Sequence, residues 1–237
     1  MLGVDNPFKS MKRNDRITRL LKSKDSYLPL QVRLFYALYY VGWHDTDRGF
    51  DYFTPLIESV IDTNRCFVRL FEMGEPKTAL PLLRMQVDNL LYIYAETLYP
   101  NKVLRYIFVN DYSLDKVEVD GKCLKRKDLF ARLDADYANN GIKNIYDKYC
   151  GYIHPSKAQS EFSIARYYKP ETEEYLPTKK SIIPYERELH LIDNTIKNIL
   201  KSFIASLEQM IRNNGKYREY NKTVKEELGS IKQHTNN

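Results

Sequence analysis

His154 closes a tyrosine-rich stretch and is the residue in this sequence best suited to move a proton. Pro155 follows it and disfavours helical geometry in the residue before it, so the ring is expected at an element boundary. An imidazole with an ordinary pKa of about 6.5 can serve as a general acid or base near neutral pH. The alternative is a structural histidine that ties a helix end to the fold, with Ser156 capping the next element.

Further polar groups surround this position. Lys148 stands six positions before His154, nearly two helical turns back, and could reach the same region. Tyr149 and Tyr152 lie between them at helical spacing and carry hydroxyls that must be satisfied when the rings are buried. We therefore treat Tyr149, Tyr152 and Ser156 as candidate binding residues.

Arg84 and Asp88 lie inside the most apolar long segment, four residues apart and so on one helical face. An arginine is seldom buried without a partner, and Asp88 would neutralise it. A guanidinium left free and facing His154 would instead suit phosphate binding. His154, Lys148 and Arg84 are the candidate catalytic residues and Asp88 is a candidate binding residue, with structural Arg84–Asp88 pairing as the alternative.

Strong catalytic and metal-binding motifs do not occur in the sequence. It has no phosphate-binding or dinucleotide-binding glycine loop, no zinc-protease motif and no serine-hydrolase motif. The four histidines are scattered, and the three cysteines are widely spaced. No carboxylates, histidines or cysteines cluster at ligand spacing, so we expect neither a metal site nor a cofactor.

The elements that must position these residues are predicted to be helices. Apolar residues at helical spacing predict three long helices, Tyr52–Met73, Lys77–Tyr99 and Arg187–Arg212. The short connection between the first two predicts antiparallel neighbours, and the second, apolar on most faces, belongs at the centre of a bundle. Shorter helices are predicted at Ser10–Lys24, Asn101–Tyr112, Lys125–Tyr137 and Lys216–Leu228. The tyrosine-rich stretch Asn144–Ser156 also has helical spacing, which stops on its last three residues, and the apolar stretch Gln31–Val41 is expected to be buried.

Two stretches have strand-like patterns. Val117–Cys123 contains an Asp-Gly turn between alternating residues, which predicts a loop or a small hairpin. Glu161–Pro184 predicts a projecting hairpin or ordered loop before the long last helix, with Ser181–Ile183 as its returning strand. We expect one helical domain over residues 1–237, with a basic N-terminal arm at 1–27, a bundle core at 53–213 and a disordered tail at 230–237.

The charge distribution bears on partners. The chain has a formal net charge of +6, and residues 1–33 carry eight lysines and arginines against three acidic residues. Such an arm could attract RNA or another polyanion, although a solvated helix face has the same composition. No apolar run is long enough for a membrane span, no secretion signal is visible, and the cysteine usage fits a reducing compartment. We expect a soluble cytoplasmic protein.

Two segments together resemble a known superfamily. PLLRMQVDNLLYIYAETL, followed much later by IYDKYCGYIHPS and a long final helix, resembles bacterial HEPN-like helical proteins, in particular a group of unknown function. The resemblance covers roughly residues 53–213. It implies an all-α bundle, commonly dimeric, in a superfamily that contains metal-independent ribonucleases of toxin and phage-defence systems.

Those ribonucleases use an arginine and a histidine that are separated by four to six residues. His154 matches the histidine, whereas Lys148, with five residues between, stands where the pattern has arginine. Lysine lacks the planar fork of a guanidinium, and the superfamily also contains non-catalytic binding modules. The leading interpretation is therefore a HEPN-like binding protein of bacterial defence or stress systems. A ribonuclease using His154, and a structural or homodimerising protein, are the alternatives.

Overall fold

The computed structural model describes residues 23–42, 49–73, 75–100, 102–110, 113–137, 141–150 and 179–235. These residues are mostly helical, which confirms the predicted all-α class. They form a two-stranded sheet, β1 (Glu118–Val119) and β2 (Lys122–Cys123), a 3-10 turn at Leu114–Lys116 and eight α-helices: α1 (Ser23–Tyr40), α2 (Gly49–Glu72), α3 (Pro76–Leu98), α4 (Val103–Asn110), α5 (Arg126–Asp136), α6 (Ile142–Cys150), α7 (Lys179–Asn213) and α8 (Tyr217–Thr235).

Helix α3 lies at the centre, as its composition predicts. Leu80, Leu83, Val87 and Leu90 are fully buried, and the helix packs against α2, α4, α5, α6 and α7. A helix with apolar residues on most faces can bury them only when neighbours surround it. Met85 departs from the pattern, because its side chain is exposed at the surface.

Helices α2 and α3 are antiparallel, which confirms the prediction from their short connection. Ser59 pairs with Asn89, whereas Asn64, further along α2, pairs with Gln86, which comes earlier in α3. Contacts that advance along one helix and retreat along the other define antiparallel packing. Glu96, near the end of α3, then accepts the first backbone N–H groups of α4.

Helix α7 supplies the other long wall of the core. Ile192, Ile196 and Ile199 are buried, and the buried stripe of the helix ends on Ile211, whereas the neighbouring Met210 is 44% exposed. Because an α-helix has about 3.6 residues per turn, apolar positions that repeat every seven residues drift around the helix axis, and the buried position at the end is shifted by one residue. The strand predicted at Ser181–Ile183 is wrong, because those residues belong to the first turns of α7.

Helix α1 is less buried than its sequence suggests. Phe35 is 40% exposed and Tyr39 is 51% exposed, so the prediction of burial on every side is wrong for one face. The two residues lie four apart and share that face. Leu34, Ala37 and Leu38 are buried and make the contact with the bundle.

The hairpin and the C-terminal helix complete the described chain. Asp120 and Gly121 have φ values of 52° and 77°, the left-handed geometry that a two-residue hairpin turn requires, so the Asp-Gly prediction is confirmed. Helix α8 extends to Thr235 and includes most of the predicted tail at 230–237. The predicted N-terminal helix and most of the insertion at 161–184 lie outside the described residues.

Buried apolar side chains from the described helices form one contiguous cluster. It includes α3 and α7 residues together with Val119 of the hairpin, Ile145 of α6 and Val224 of α8. None of the helices within the described ranges has the length and apolar character that crossing a membrane requires.

Candidate functional site

Arg84 is held by three side chains on two helices. Its guanidinium forms an ion pair with Asp88, one turn further along α3, which confirms the predicted pairing. Its Nη2 donates a hydrogen bond of 2.7 Å to the Tyr146 hydroxyl, and Nε lies 3.4 Å from the Cys150 sulfur. The guanidinium carbon also lies 3.8 Å from the centre of the Tyr146 ring. With 12% of its side chain exposed, Arg84 joins α3 to α6.

A second arginine, which the sequence reasoning missed, approaches the same carboxylate. Arg126 Nε lies 3.8 Å from Asp88 Oδ1, while its guanidinium pairs with Asp115. The Arg126 backbone N–H also donates to Asp115 Oδ1 over 3.3 Å, at the first turn of α5. Arg126 stands in a run of basic residues, and nothing local distinguishes it from Lys125 or Lys127. The result is a cluster of alternating charges in which Asp88 lies between two guanidinium groups.

Lys148 has its own partner on another helix. Its Nζ lies 2.9 Å from Glu188 Oε1, and the Tyr149 hydroxyl donates to the other oxygen of the same carboxylate. The ammonium group also lies 5.0 Å from the Tyr149 ring centre and 5.4 Å from that of Tyr185. Glu188 belongs to α7 and was not identified from the sequence.

These contacts place Arg84 and Lys148 against different faces of α6. Tyr146 and Cys150, which contact Arg84, are four residues apart and share one face. Lys148 is two positions from each, a rotation of about 200° around the helix axis, and it points to α7. The structure therefore brings Arg84 together with Asp88 and Lys148 together with Tyr149, but α6 separates the two pairs. Tyr152, His154 and Ser156 lie outside the described residues.

No protein-family model, curated protein or solved structure matches this chain.

A buried network of polar side chains crosses the bundle and was also missed. The Asn89 amide donates to Gln86, Gln86 donates to Asn64, and Asn64 donates to Asp193 over 2.8 to 2.9 Å. Tyr27 and Lys197 complete the set around the Asp193 carboxylate, at 2.9 and 2.6 Å.

The sequence contained a signal for two members of this network. Asp193 lies between fully buried Leu189 and Ile196, and Gln86 lies between fully buried Leu83 and Leu90, each at helical spacing. Polar residues on a buried stripe must find partners inside the protein, because an unsatisfied buried polar group costs about 1–3 kcal/mol. What the pattern could not supply was which residues are those partners.

Burial changes the acidity of three tyrosines whose hydroxyls donate to carboxylates: Tyr27 in this network, and Tyr94 and Tyr220 elsewhere in the bundle. Burial, followed by the nearby Asp193 carboxylate, raises the pKa of Tyr27 well above its ordinary value. The pKa values of Tyr94 and Tyr220 are raised for the same reasons, with Asp136 and Glu208 as the accepting carboxylates. These phenols act as hydrogen-bond donors in the folded protein and are poor candidates for proton transfer at neutral pH.

A metal-binding group of side chains is not found in the part of the chain that the structure describes. Within it, no three histidine, cysteine, aspartate or glutamate side chains are placed to hold an ion. The carboxylates of the two clusters, Asp88 and Glu188, are instead bound by cationic side chains. The Arg84 and Lys148 clusters can therefore hold helices together by charge, and the cations in these two clusters are already neutralised.

Proposed function

We propose that this chain is a HEPN-like helical protein that acts by binding RNA or another polyanion and does not cleave it. The HEPN-like assignment and a role in bacterial defence or stress are what the resemblance of its two motifs implies. The net charge of +6 and the excess of basic residues at 1–33 support a polyanion as the ligand class.

The observation that carries the non-catalytic proposal is the neutralisation of both candidate phosphate ligands. Arg84 is bound by Asp88 and Tyr146, and Lys148 is bound by Glu188. A phosphate would have to displace a carboxylate from either cation, and a lost charge-assisted hydrogen bond costs about 1.5–3 kcal/mol. The two cations also face away from each other across α6, so they cannot jointly stabilise one phosphate beside a histidine.

The test measures RNA binding and RNA integrity on the same samples. We expect a fluorescein-labelled single-stranded RNA to bind the wild-type protein with an affinity that falls as salt rises. After prolonged incubation the RNA should run intact on a denaturing gel with wild type and with His154→Ala alike. Expression of the two proteins should also affect bacterial growth equally.

Two results would contradict the proposal in different ways. RNA cleavage or growth inhibition by wild type that His154→Ala abolishes would establish the ribonuclease alternative. A protein that neither cleaves nor binds RNA at low salt would remove the polyanion as ligand and leave a structural role.

A further inference from the structure

A cavity of about 460 Å³ lies between the β-hairpin and helix α5, and none of its lining residues belongs to the Arg84 cluster. Its size is within the range of small-molecule sites in proteins. Lys122 lines it from β2, Lys125 from the position just before α5, and Arg132 from α5. Lys125 is the residue immediately before the first turn of α5, where its backbone is extended, and Arg132 lies within the helix.

The cavity has an excess of free positive charge. Lys122, Lys125 and Arg132 are exposed, and none forms an ion pair with a carboxylate in the described ranges, unlike Arg84 and Lys148. Two carboxylates also line the cavity. Asp120 is bound by Lys102 at 3.0 Å, which leaves Asp128 as the lining carboxylate without an ion-pair partner among the described residues.

The uncharged residues that line the cavity are suited to contact an aromatic or heterocyclic ring of a ligand. Tyr99 is half-buried at the cavity wall, and the lining residues Leu124 and Leu129 are buried. A flat aromatic or heterocyclic group can stack on a tyrosine ring, and base–aromatic stacking contributes about 1–3 kcal/mol in nucleic-acid sites. An Asp128 carboxylate can accept hydrogen bonds from the N–H or O–H groups of a nucleoside.

We propose that this cavity binds a nucleoside monophosphate unit. Lys122, Lys125 and Arg132 hold the phosphate, Tyr99 stacks on the base, and Asp128 accepts a hydrogen bond from the nucleoside. The inference rests on the proposed function, because it locates one nucleotide of the bound RNA. The same chemistry admits a free nucleotide, and the experiment distinguishes these two sources.

The first measurement is calorimetric titration with adenosine 5′-monophosphate and with adenosine. The wild-type protein should bind the nucleotide at least about tenfold more tightly than the nucleoside, because the phosphate receives the charged contacts. The triple variant Lys122→Gln/Lys125→Gln/Arg132→Gln should lose about tenfold or more in affinity for the nucleotide.

A matched control removes the same charges elsewhere. Lys201→Gln/Arg218→Gln/Lys225→Gln takes two lysines and one arginine from exposed positions on α7 and α8. It should bind the nucleotide as wild type does. Equal binding by the cavity variant and this control, or no nucleotide binding by wild type, would overturn the inference.

A second measurement uses the unmodified protein and does not depend on a variant's folding. Cys123 lines the cavity and is exposed, and Cys66 is exposed on α2. Adenosine 5′-monophosphate should slow the alkylation of Cys123 by N-ethylmaleimide and leave Cys66 unaffected, as peptide mass spectrometry would show. Equal rates at Cys123 with and without the nucleotide would contradict the site.

The labelled RNA separates this inference from the proposed function. If the cavity variant and the control bind RNA equally and no nucleotide binding is seen, the cavity is not the nucleotide site, but the proposal that the protein binds a polyanion stands. If the nucleotide binds and protects Cys123 but RNA does not bind, the cavity is a site for a free nucleotide and the proposal that the protein binds a polyanion is rejected.

Discussion

The charged residues Arg84 and Asp193, which lie inside apolar helices, each form hydrogen bonds or ion pairs with several side chains. Asp193 is 2% exposed and accepts from Tyr27, Asn64 and Lys197, which come from three helices. A carboxylate in that position would be costly unpaired, and each added donor lowers the cost of burying it. The hydrogen bonds also fix the relative positions of the helices, because a shift of one turn would break them.

The contribution of the Tyr27 hydroxyl can be measured directly. Tyr27→Phe keeps the fully buried ring and removes one donor to Asp193. We expect the free energy of unfolding to fall by about 1–2 kcal/mol, as for a buried hydrogen bond. Urea unfolding followed by circular dichroism would measure it, with Tyr106→Phe, at an exposed position on α4, as control. A loss no greater than that of the control would contradict a stabilising role for the network.

Arg84 is expected to act through its guanidinium geometry. Arg84→Lys keeps the charge but loses the planar group that reaches both Asp88 and the Tyr146 hydroxyl and stacks on the Tyr146 ring. The free energy of unfolding should fall by about 1–2 kcal/mol. Arg65→Lys is the matched control, because the Arg65 side chain is 40% exposed and lies 3.9 Å from Asp62.

The RNA affinity of the same variant completes that test. If Arg84 is a structural residue, Arg84→Lys should bind labelled RNA as tightly as wild type does. Wild-type stability combined with weakened RNA binding would show instead that the guanidinium contacts the ligand.

At the scale of elements, short helices are fixed by side chains from longer ones. Helix α6 has nine residues, too few to be stable alone, and it is held by Arg84 of α3 on one face and Glu188 of α7 on another. Helix α4 has eight residues, and its first N–H groups are capped by Glu96 of α3. The long helices therefore determine where the short ones begin and what they face.

Removing the cap should loosen α4 before the rest of the fold. Glu96 Oε2 accepts from the backbone N–H groups of Val103 and Leu104, at 3.1 and 2.7 Å, and its charge complements the helix dipole. Glu96→Ala should speed amide exchange at Val103 and Leu104 and reduce stability by about 1–2 kcal/mol. Glu226→Gln, on the exposed face of α8, should change neither. Unaltered exchange in α4 would exclude Glu96 as its cap.

At the scale of the whole molecule, tyrosine–carboxylate contacts connect distant parts of the chain. Tyr27 and Asp193 are 166 positions apart, and Tyr94 and Asp136 are 42 apart. Tyr220 and Arg33 both donate to Glu208, which joins α8 and α1 to α7. These three of the chain's 20 tyrosines thus donate hydrogen bonds that join different helices.

These contacts predict a loss of stability at alkaline pH. The folded-state pKa of Tyr27 is raised above the value near 10 that it has in the unfolded chain. The unfolded chain therefore releases this proton first, so the stabilisation is complete below about pH 10 and declines as pH rises through the folded-state value.

Urea unfolding between pH 8 and 11 would measure this dependence. Wild type should lose stability more steeply above pH 10 than Tyr27→Phe, because the variant lacks that ionising group. Comparing the two proteins cancels the titration of the lysines. Parallel curves for the two proteins would contradict the pKa shift.

The sequence by itself determined the helical class, the long helices α2, α3 and α7, the Asp-Gly hairpin and the Arg84–Asp88 pair. All of these depend on residues close together in the chain, where spacing alone states which side chains share a face. The returning strand at Ser181–Ile183 failed because three residues carry too little periodicity to separate strand from helix.

Only the tertiary structure decided which partners complete each cluster. Glu188 reaches Lys148 across 40 positions, Arg126 reaches Asp88, and Asp193 collects donors from three helices. The cavity beside α5 likewise exists only where a hairpin folds against a helix. Local sequence patterns determine on which face of its own helix a side chain lies. Which residues it then contacts depends on how whole helices pack against each other, and that packing is determined by many contacts across the core.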